Sequence, residues 1–153
     1  MEGRLIVRIM ADDGATRTVF HGLGAFDFLP KEVHYPGAYV FNTDRQSGPG
    51  IHWVCVYFDR DGNADFFDSF GREPEMYGFS DFLRRHARRC SYNHVQLQSL
   101  YSITCGYFCV FFLLHRCRGV PMSKIVSWFD PVCKNWNDHV ISEFVQNHYG
   151  HLV

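Results

Sequence analysis

The apolar pattern in the first half of the chain predicts a short strand followed by a β-hairpin. Residues 38–42 (AYVFN) form an apolar run between Pro36-Gly37 and the polar loop TDRQSGPG, as expected for a short buried strand. Residues 51–58 (IHWVCVYF) are rich in β-branched and aromatic side chains, and the turn-forming sequence DRDGN separates them from residues 64–68. We therefore predict that 51–58 and 64–68 pair as antiparallel strands around Asp61-Gly62.

Three further segments have weaker patterns. Residues 5–10 are long enough for one or two turns of helix, and residues 21–30 (HGLGAFDFLP) are predicted to be a glycine-containing loop that ends at Pro30. Residues 93–98 alternate around HVQLQ, which favours a half-buried strand.

The second half of the chain is predicted to be mainly helical. Residues 105–116 are apolar on nearly every face, which indicates a central buried helix that ends before Gly119 and Pro121. The other helices are predicted over 79–89 with Ser80 as N-cap, over 123–129, and over 138–148 with Val140, Ile141, Phe144 and Val145 on one side. This order of elements predicts an α+β fold, a small and mostly antiparallel sheet packed by helices.

Length and composition fit one globular domain. The chain has 153 residues, of which 46% are hydrophobic and 17% aromatic, so a core can form without disulfide or metal cross-links. The formal net charge of -1 excludes a generally basic nucleic-acid-coating protein. The longest apolar run is about half of the roughly 20 residues that a membrane span needs, so no membrane association is expected.

The six cysteines are interpreted as thiols. The N-terminal sequence MEGRLIVRIMADD lacks the pattern of a signal peptide, so we expect a reducing compartment, where disulfides are rare. No C-x2-C pair occurs, and Cys105 and Cys109 lie in an apolar helix, so we expect no zinc site. Apart from Cys105 and Cys90, the cysteines are assigned to packing.

The hairpin brings an imidazole and a carboxylate together. With the turn centred near residue 60, His52 and Asp68 lie near each other across the two strands, within a residue or two of register. A carboxylate beside an imidazole fixes its tautomer and favours its protonated form. A cross-strand polar pair without catalytic function is the alternative interpretation.

Cys105 is the candidate nucleophile because it begins the apolar helix, directly before Gly106. The positive end of the helix dipole and a neighbouring imidazolium together lower a thiol pKa from about 8.5 to about 3.5–7.5. A buried structural cysteine is the alternative. Gln98, seven residues earlier, is a candidate oxyanion donor together with the Cys105 main-chain N–H, with Gln96 as its competitor.

Four ordered elements resemble the adenovirus-type cysteine endopeptidases, whose clan includes the SUMO and ubiquitin-like proteases. The elements are His-Trp on a strand (52–53), an acid followed by Ser (68–69), Gln98, and Cys-Gly opening a helix (105–106). The stretches FHGLGAFDFLP and YVFNTD are similar to the N-terminal half of those enzymes. The runs CGYFC and NDHVISEFV resemble copies in adintoviruses and Maverick/Polinton elements, and the whole resemblance spans roughly residues 20–148.

The resemblance implies a single cysteine protease domain over 1–153 with a circularly rearranged papain-like core. It implies Cys105 as nucleophile, His52 as base or ion-pair partner, Asp68 as the residue that orients His52, and Gln98 as oxyanion donor. The adenoviral enzymes have Glu at the acid position and the SUMO branch has Asp, so this chain mixes the two patterns. Two further residues are placed in the substrate cleft: Gly106 and Trp53, for which a core aromatic is an equal alternative.

The resemblance also implies substrates, partners and regulation. A monomer would cleave viral precursor proteins near glycine, in the virion and in the nucleus or cytoplasm of the host, without a cofactor for the chemistry. Because the adenoviral relatives are stimulated by DNA and by a disulfide-linked viral peptide, Cys90 is a candidate peptide tether. The basic patch of Arg84, Arg85, Arg88 and Arg89 is a candidate DNA contact, with a solvated helix face as the alternative.

The sequence is also compatible with two other functions. An isopeptidase that removes ubiquitin-like modifiers would use the same residues, and sequence does not distinguish it from an endopeptidase. A non-catalytic module that binds nucleic acid or a protein tail would need no alignment of His52, Asp68, Gln98 and Cys105, so that alignment favours an enzyme.

Overall fold

The computed structural model describes residues 1–153 and contains one five-stranded mixed sheet, with the strands in chain order from edge to edge. The central pairs β2–β3 and β3–β4 are antiparallel, whereas the outer pairs β1–β2 and β4–β5 are parallel. The α+β class is therefore confirmed, but the expectation of a mostly antiparallel sheet is wrong. The strands are β1 (Phe20–Ala25), β2 (Gly37–Asn42), β3 (Trp53–Phe58), β4 (Ala64–Phe67) and β5 (Cys90–Tyr92).

All five predicted helices are present, and all except α3 have changed ends. They are α1 (Gly3–Asp12), α2 (Ser80–His86), α3 (Cys105–Arg116), α4 (Met122–Ser127) and α5 (Lys134–Tyr149). Ser80 is the first helical residue rather than the N-cap, which is Phe79. Because α2 ends at His86, Arg88 and Arg89 lie beyond the helix on which they were predicted. None of the helices has the length and apolar character of a membrane span.

Two predictions of local structure are wrong. Residues 20–25 form β1 instead of a loop, because β2 supplies parallel hydrogen-bonding partners that no local pattern reveals. The strand expected at 93–98 is displaced to β5, which pairs with β4. The N–H groups of Leu97 and Gln98 instead both donate to the carbonyl oxygen of Ser69, at 2.8 and 3.0 Å.

Side chains cover both faces of the sheet and hold α3 against it. Alternate residues of β2 point to opposite faces: Val40 joins the core around α3, and Phe41 joins a second core under α2. Phe67 of β4 stacks on Phe112 of α3, with ring centroids 4.5 Å apart and planes 7° apart. This packing holds the N-terminus of α3 beside the start of β3, where the candidate site lies.

Candidate active site

Cys105 is the first residue of α3, and its thiol faces the start of β3. The main-chain N–H of Trp53 donates to its Sγ atom over 3.5 Å, and the His52 side chain lies close enough to lower the pKa of the thiol. Its own main-chain N–H has no acceptor within the chain, as expected for the open first turn of a helix. The thiol therefore lies at the positive end of the α3 dipole, next to an unused N–H donor.

His52 and Asp68 meet as the sequence predicts, although they do not pair in the β-ladder. Val56 pairs with Phe66 and Tyr57 with Asp65, which centres the hairpin on residue 61 rather than 60. His52 precedes β3 and Asp68 follows β4, so both side chains project from the end of the hairpin. His52 Nε2 lies 2.6 Å from Asp68 Oδ1, so Nδ1 is the ring nitrogen that this contact leaves available.

These contacts favour an imidazolium–thiolate pair. Burial opposes charge on His52, but hydrogen bonds and charge from Asp68 and Cys105 raise its pKa to about 9. Burial likewise opposes the Cys105 thiolate, yet the hydrogen bond and charge of His52 and the Trp53 N–H bring the Cys105 pKa below its ordinary value. Each group thus stabilises the charged form of the other, as nucleophilic thiols require.

The Asp68 carboxylate accepts three hydrogen bonds in addition to its contact with His52. The main-chain N–H of Phe70 donates to Oδ1 over 3.0 Å, while the N–H of Arg72 and the hydroxyl of Tyr77 donate to Oδ2 over 3.1 and 2.7 Å. Burial opposes the carboxylate, but His52, Tyr77 and the Phe70 N–H keep the Asp68 pKa below its ordinary value. The carboxylate is therefore ionised, with fixed oxygens that orient the imidazole.

Gln98 lines the same cleft as His52 and Cys105, and its side chain is fully buried. Its Oε1 accepts a hydrogen bond from Ser69 Oγ at 2.5 Å, and its Nε2 donates to the carbonyl of Ser102 at 3.0 Å. One Nε2 hydrogen is left for another acceptor. Gln96, the competing glutamine, is outside the cleft lining and donates to the Gln98 carbonyl.

The cleft has a volume of about 620 Å³ and is lined by both polar and apolar residues. Trp53 is one of its walls and is half-buried, so it serves the cleft and also packs on the core. Its indole N–H donates to the Met1 carbonyl over 3.0 Å. Gly106 is not in the wall: it lies buried beneath, where a Cβ would stand 2.9 Å from Met1 Cβ and 3.3 Å from Trp53 Cδ1. Close packing against Met1 and Trp53 is therefore what requires a glycine at this position.

The basic patch and Cys90 lie apart from the cleft that contains His52 and Cys105. A separate groove of about 350 Å³ is lined by Arg84, Arg88, Arg89 and Cys90, among others. Arg85 is also exposed, at the end of α2. Cys90 begins β5, the edge strand of the sheet, and is exposed.

The remaining cysteines follow the packing assignment with one exception. Cys55 and Cys109 are buried, and Cys117 is partly buried. Cys133 is exposed at the start of α5, so its assignment to packing is wrong.

Several residues that shape the site were not identified from sequence. Tyr77 and Asn93 fix Asp68, the ring of Phe70 stacks on His52 at 4.5 Å, and Asp138 contacts the segment before Cys105. Only Phe70 lies close in sequence to a predicted site residue, where the DSFG turn is a usable signal. The others come from distant elements and leave no local pattern.

Two viral proteases are similar to this chain in sequence. No protein-family model matches the chain. A protein of Acanthamoeba polyphaga mimivirus named as a thiol protease, R355, is 33% identical over 100 residues, covering 59% of this chain and 33% of the relative. A protease of Bovine adenovirus C serotype 10 is 28% identical over 115 residues, covering 60% of this chain and 58% of the relative. The chain thus spans about a third of the first relative's length and over half of the second's.

A solved structure shares the fold over the whole chain. The central domain of the Lpg1148 protein from Legionella pneumophila superposes with a TM-score of 0.55 and 17% identity, covering 100% of this chain and 98% of that one. At this identity the likeness shows the fold alone. In sequence, the chain is thus similar to two viral proteases. In fold, it is similar to a domain of a bacterial protein.

Proposed function

We propose that the chain is a cysteine protease of the adenovirus type, with Cys105 as nucleophile. One observation carries the proposal: the Cys105 thiol begins a buried helix beside His52, whose Nε2 lies 2.6 Å from Asp68 Oδ1. A nucleophile, a base and an orienting acid in this order form the arrangement that acyl transfer needs. The naming of both sequence relatives as proteases supports it.

The first half of the proposed reaction forms an acyl-enzyme. The Cys105 thiolate attacks the carbonyl carbon of the scissile peptide, and the negative charge moves to the carbonyl oxygen. Gln98 Nε2 and the Cys105 main-chain N–H stabilise that oxyanion, since both have a hydrogen available in the cleft. The His52 imidazolium then donates its proton to the leaving amine as the C–N bond breaks, which leaves a thioester and a neutral imidazole.

The second half releases the product. Neutral His52 accepts a proton from a water molecule as the water oxygen attacks the thioester carbonyl. The intermediate collapses to a carboxylic acid, and the thiolate leaves with its charge stabilised again by the imidazolium. Asp68 keeps the imidazole in the productive orientation throughout, because three donors besides His52 hold its carboxylate.

The proposed substrates are viral precursor proteins cleaved near glycine, in the virion and inside the host cell. The viral origin of both sequence relatives supports the viral setting, and the family resemblance supports the glycine preference. We also propose that the protein is a monomer. Its core is proposed to be a circularly rearranged papain-like one, in which His52 precedes Cys105 in the chain. Activation by DNA or a peptide belongs to the proposal as well.

The test is cleavage of a panel of Gly-containing peptides by the wild type and by Cys105→Ala and Cys109→Ala variants. Cys109 lies one turn further along α3 and is buried, so it is the matched control for loss of a thiol. We expect Cys105→Ala to abolish cleavage and Cys109→Ala to retain it. Full cleavage by Cys105→Ala would refute the nucleophile assignment.

The same experiment separates the alternatives when electrophilic ubiquitin-like probes are added. A covalent adduct at Cys105 with such a probe, without cleavage of viral-type peptides, would replace the endopeptidase by an isopeptidase. A wild type that cleaves nothing and forms no adduct would leave a non-catalytic binding module. The clustering of the buried side chains of His52, Asp68 and Cys105 argues against that module, because binding does not require it.

A further inference from the structure

The six residues between Gln98 and Cys105, here called the 99–104 loop, control both proposed oxyanion donors. Gln98 donates to Ser102 within the loop, so the loop sets the position of its amide. Thr104 is the last loop residue and the N-cap of α3, so the loop also sets the start of the helix and the Cys105 N–H. The loop is polar inside and exposes Tyr101 and Ile103, so apolar packing does not fix it.

A single carboxylate from another element holds this loop. Asp138 of α5 accepts hydrogen bonds from the Ser99 main-chain N–H at 3.2 Å, from Ser102 Oγ at 3.0 Å and from Thr104 Oγ1 at 2.7 Å. These three donors lie at the start, middle and end of the loop. A charged acceptor makes each bond stronger than a neutral acceptor would.

The helix that carries Asp138 is itself firmly placed. The adjacent Asn137 is almost fully buried and donates to the carbonyl of Leu97 at 3.1 Å, immediately before Gln98. Ile141 and Val145 of the same helix lie in the main core. The α5 helix therefore holds the chain from Leu97 to Thr104 against a rigid support.

Thr104 shows how the contact serves the oxyanion site. A threonine at an N-cap normally accepts a hydrogen bond from a first-turn N–H. Here the side chain makes no such bond and donates to Asp138 instead. The Thr104–Asp138 contact therefore fixes the residue whose peptide bond carries the Cys105 N–H, and that N–H has no acceptor within the chain.

We propose that Asp138 is a positioning residue that holds the 99–104 loop so that Gln98 and the Cys105 N–H converge on the oxyanion. The inference rests on the proposed cysteine protease function and adds a residue that acts through the loop without touching substrate. Its consequence is a selective one: losing Asp138 impairs steps that develop an oxyanion and spares the reactivity of the thiolate.

The test compares peptide cleavage with alkylation by iodoacetamide in Asp138→Ala and Glu143→Ala variants. Alkylation is a displacement at a saturated carbon, in which the thiolate forms a C–S bond, iodide leaves and no oxyanion appears. We expect Asp138→Ala to lower kcat about 10- to 100-fold, since removing one oxyanion donor outright costs about 100- to 1,000-fold. Its alkylation rate and the pH profile of that rate should stay those of the wild type. Glu143, an exposed acid on the same helix, should be replaceable without either effect.

Thr104 supplies a second pair of variants if Asp138→Ala does not fold. Thr104→Val removes the hydroxyl at nearly constant volume and should reproduce the selective loss of kcat, whereas Thr104→Ser should restore it. Unchanged kcat in Asp138→Ala or Thr104→Val would overturn the inference, and so would alkylation that falls in parallel with cleavage. If the wild type cleaves no peptide and forms no Cys105 adduct, the proposed function and this inference are both overturned. If the wild type is active and Asp138→Ala is equally active, the inference alone is overturned.

Discussion

The side-chain amide of Asn93 hydrogen-bonds both main-chain groups of Asp68. Its Oδ1 accepts from the Asp68 N–H at 2.9 Å, and its Nδ2 donates to the Asp68 carbonyl at 2.5 Å. Asp68 lies just beyond the end of β4, where the β-ladder no longer supplies these partners. Asn93, just beyond β5, continues the pairing with a side chain and thereby fixes the backbone from which the candidate acid projects.

Replacing Asn93 by Ala should therefore destabilise the protein. The variant leaves the buried Asp68 N–H without a partner, whereas the Asp68 carbonyl still accepts from the Gly71 N–H at 2.8 Å. We expect the free energy of unfolding to fall by about 1–3 kcal/mol. Urea unfolding monitored by tryptophan fluorescence measures the change. Asn147→Ala, at an exposed position of α5, is the control and should shift stability by less than about 0.5 kcal/mol. Equal stability of the two variants would contradict the role of Asn93.

The pH dependence of cleavage should be bell-shaped. As pH falls through the lowered pKa of Cys105, the thiolate is protonated and kcat/KM decreases. As pH rises through about 9, His52 loses the proton that the leaving amine needs, and kcat/KM decreases again. Initial rates on a Gly-containing peptide, measured from about pH 4 to about pH 10.5, give both limbs.

Asp68→Asn tests the assignment of the alkaline limb. Removing the carboxylate charge takes away an interaction that raises the His52 pKa, so the alkaline limb should move to lower pH, toward the ordinary histidine value of about 6.5. Asp61→Asn changes an exposed acid in the hairpin turn and should leave the profile in place. An alkaline limb that stays near pH 9 in Asp68→Asn would show that another group titrates there.

Phe112→Ala should lower stability more than any change at an exposed aromatic residue. The Phe112 ring is fully buried against Phe67, so truncation leaves a cavity between α3 and the sheet and should cost about 3–5 kcal/mol. Phe28, with 68% of its surface exposed, is the control, and Phe28→Ala should cost less than about 0.5 kcal/mol. Thermal or urea unfolding of both variants measures the difference, and similar losses would contradict the packing described here.

The basic patch gives a separate prediction about DNA. If Arg84, Arg85, Arg88 and Arg89 contact phosphates, replacing all four by Ala should weaken DNA binding and reduce its dependence on salt concentration. Fluorescence anisotropy with a labelled duplex at several salt concentrations measures both quantities. Arg4 and Arg8, exposed on α1, provide the matched control when replaced together by Ala. Unchanged affinity and activity in the fourfold variant would assign the patch to a solvated surface.

Where a local signal was strong, the sequence predicted this protein well. The α3 helix has the expected bounds, because an uninterrupted apolar run and the following Gly119 and Pro121 leave little choice. The β3–β4 hairpin forms around the Asp-Gly turn, which is why His52 and Asp68 could be paired before their distance was known. The position of Cys105 at a helix N-terminus follows from the start of the same apolar run.

Only the tertiary structure decided the elements and contacts that join distant parts of the chain. Strand β1 exists because β2 accepts it in parallel pairing, and its glycines gave the opposite local signal. Asn93 and Asp138 acquire their roles from partners 25 and 34–39 residues away. Parallel pairs and buried polar bonds depend on which backbone groups meet after folding, and a periodic pattern of apolar residues carries no record of them. The sequence thus determined the candidate nucleophile, base and acid, while the fold determined what holds them in place.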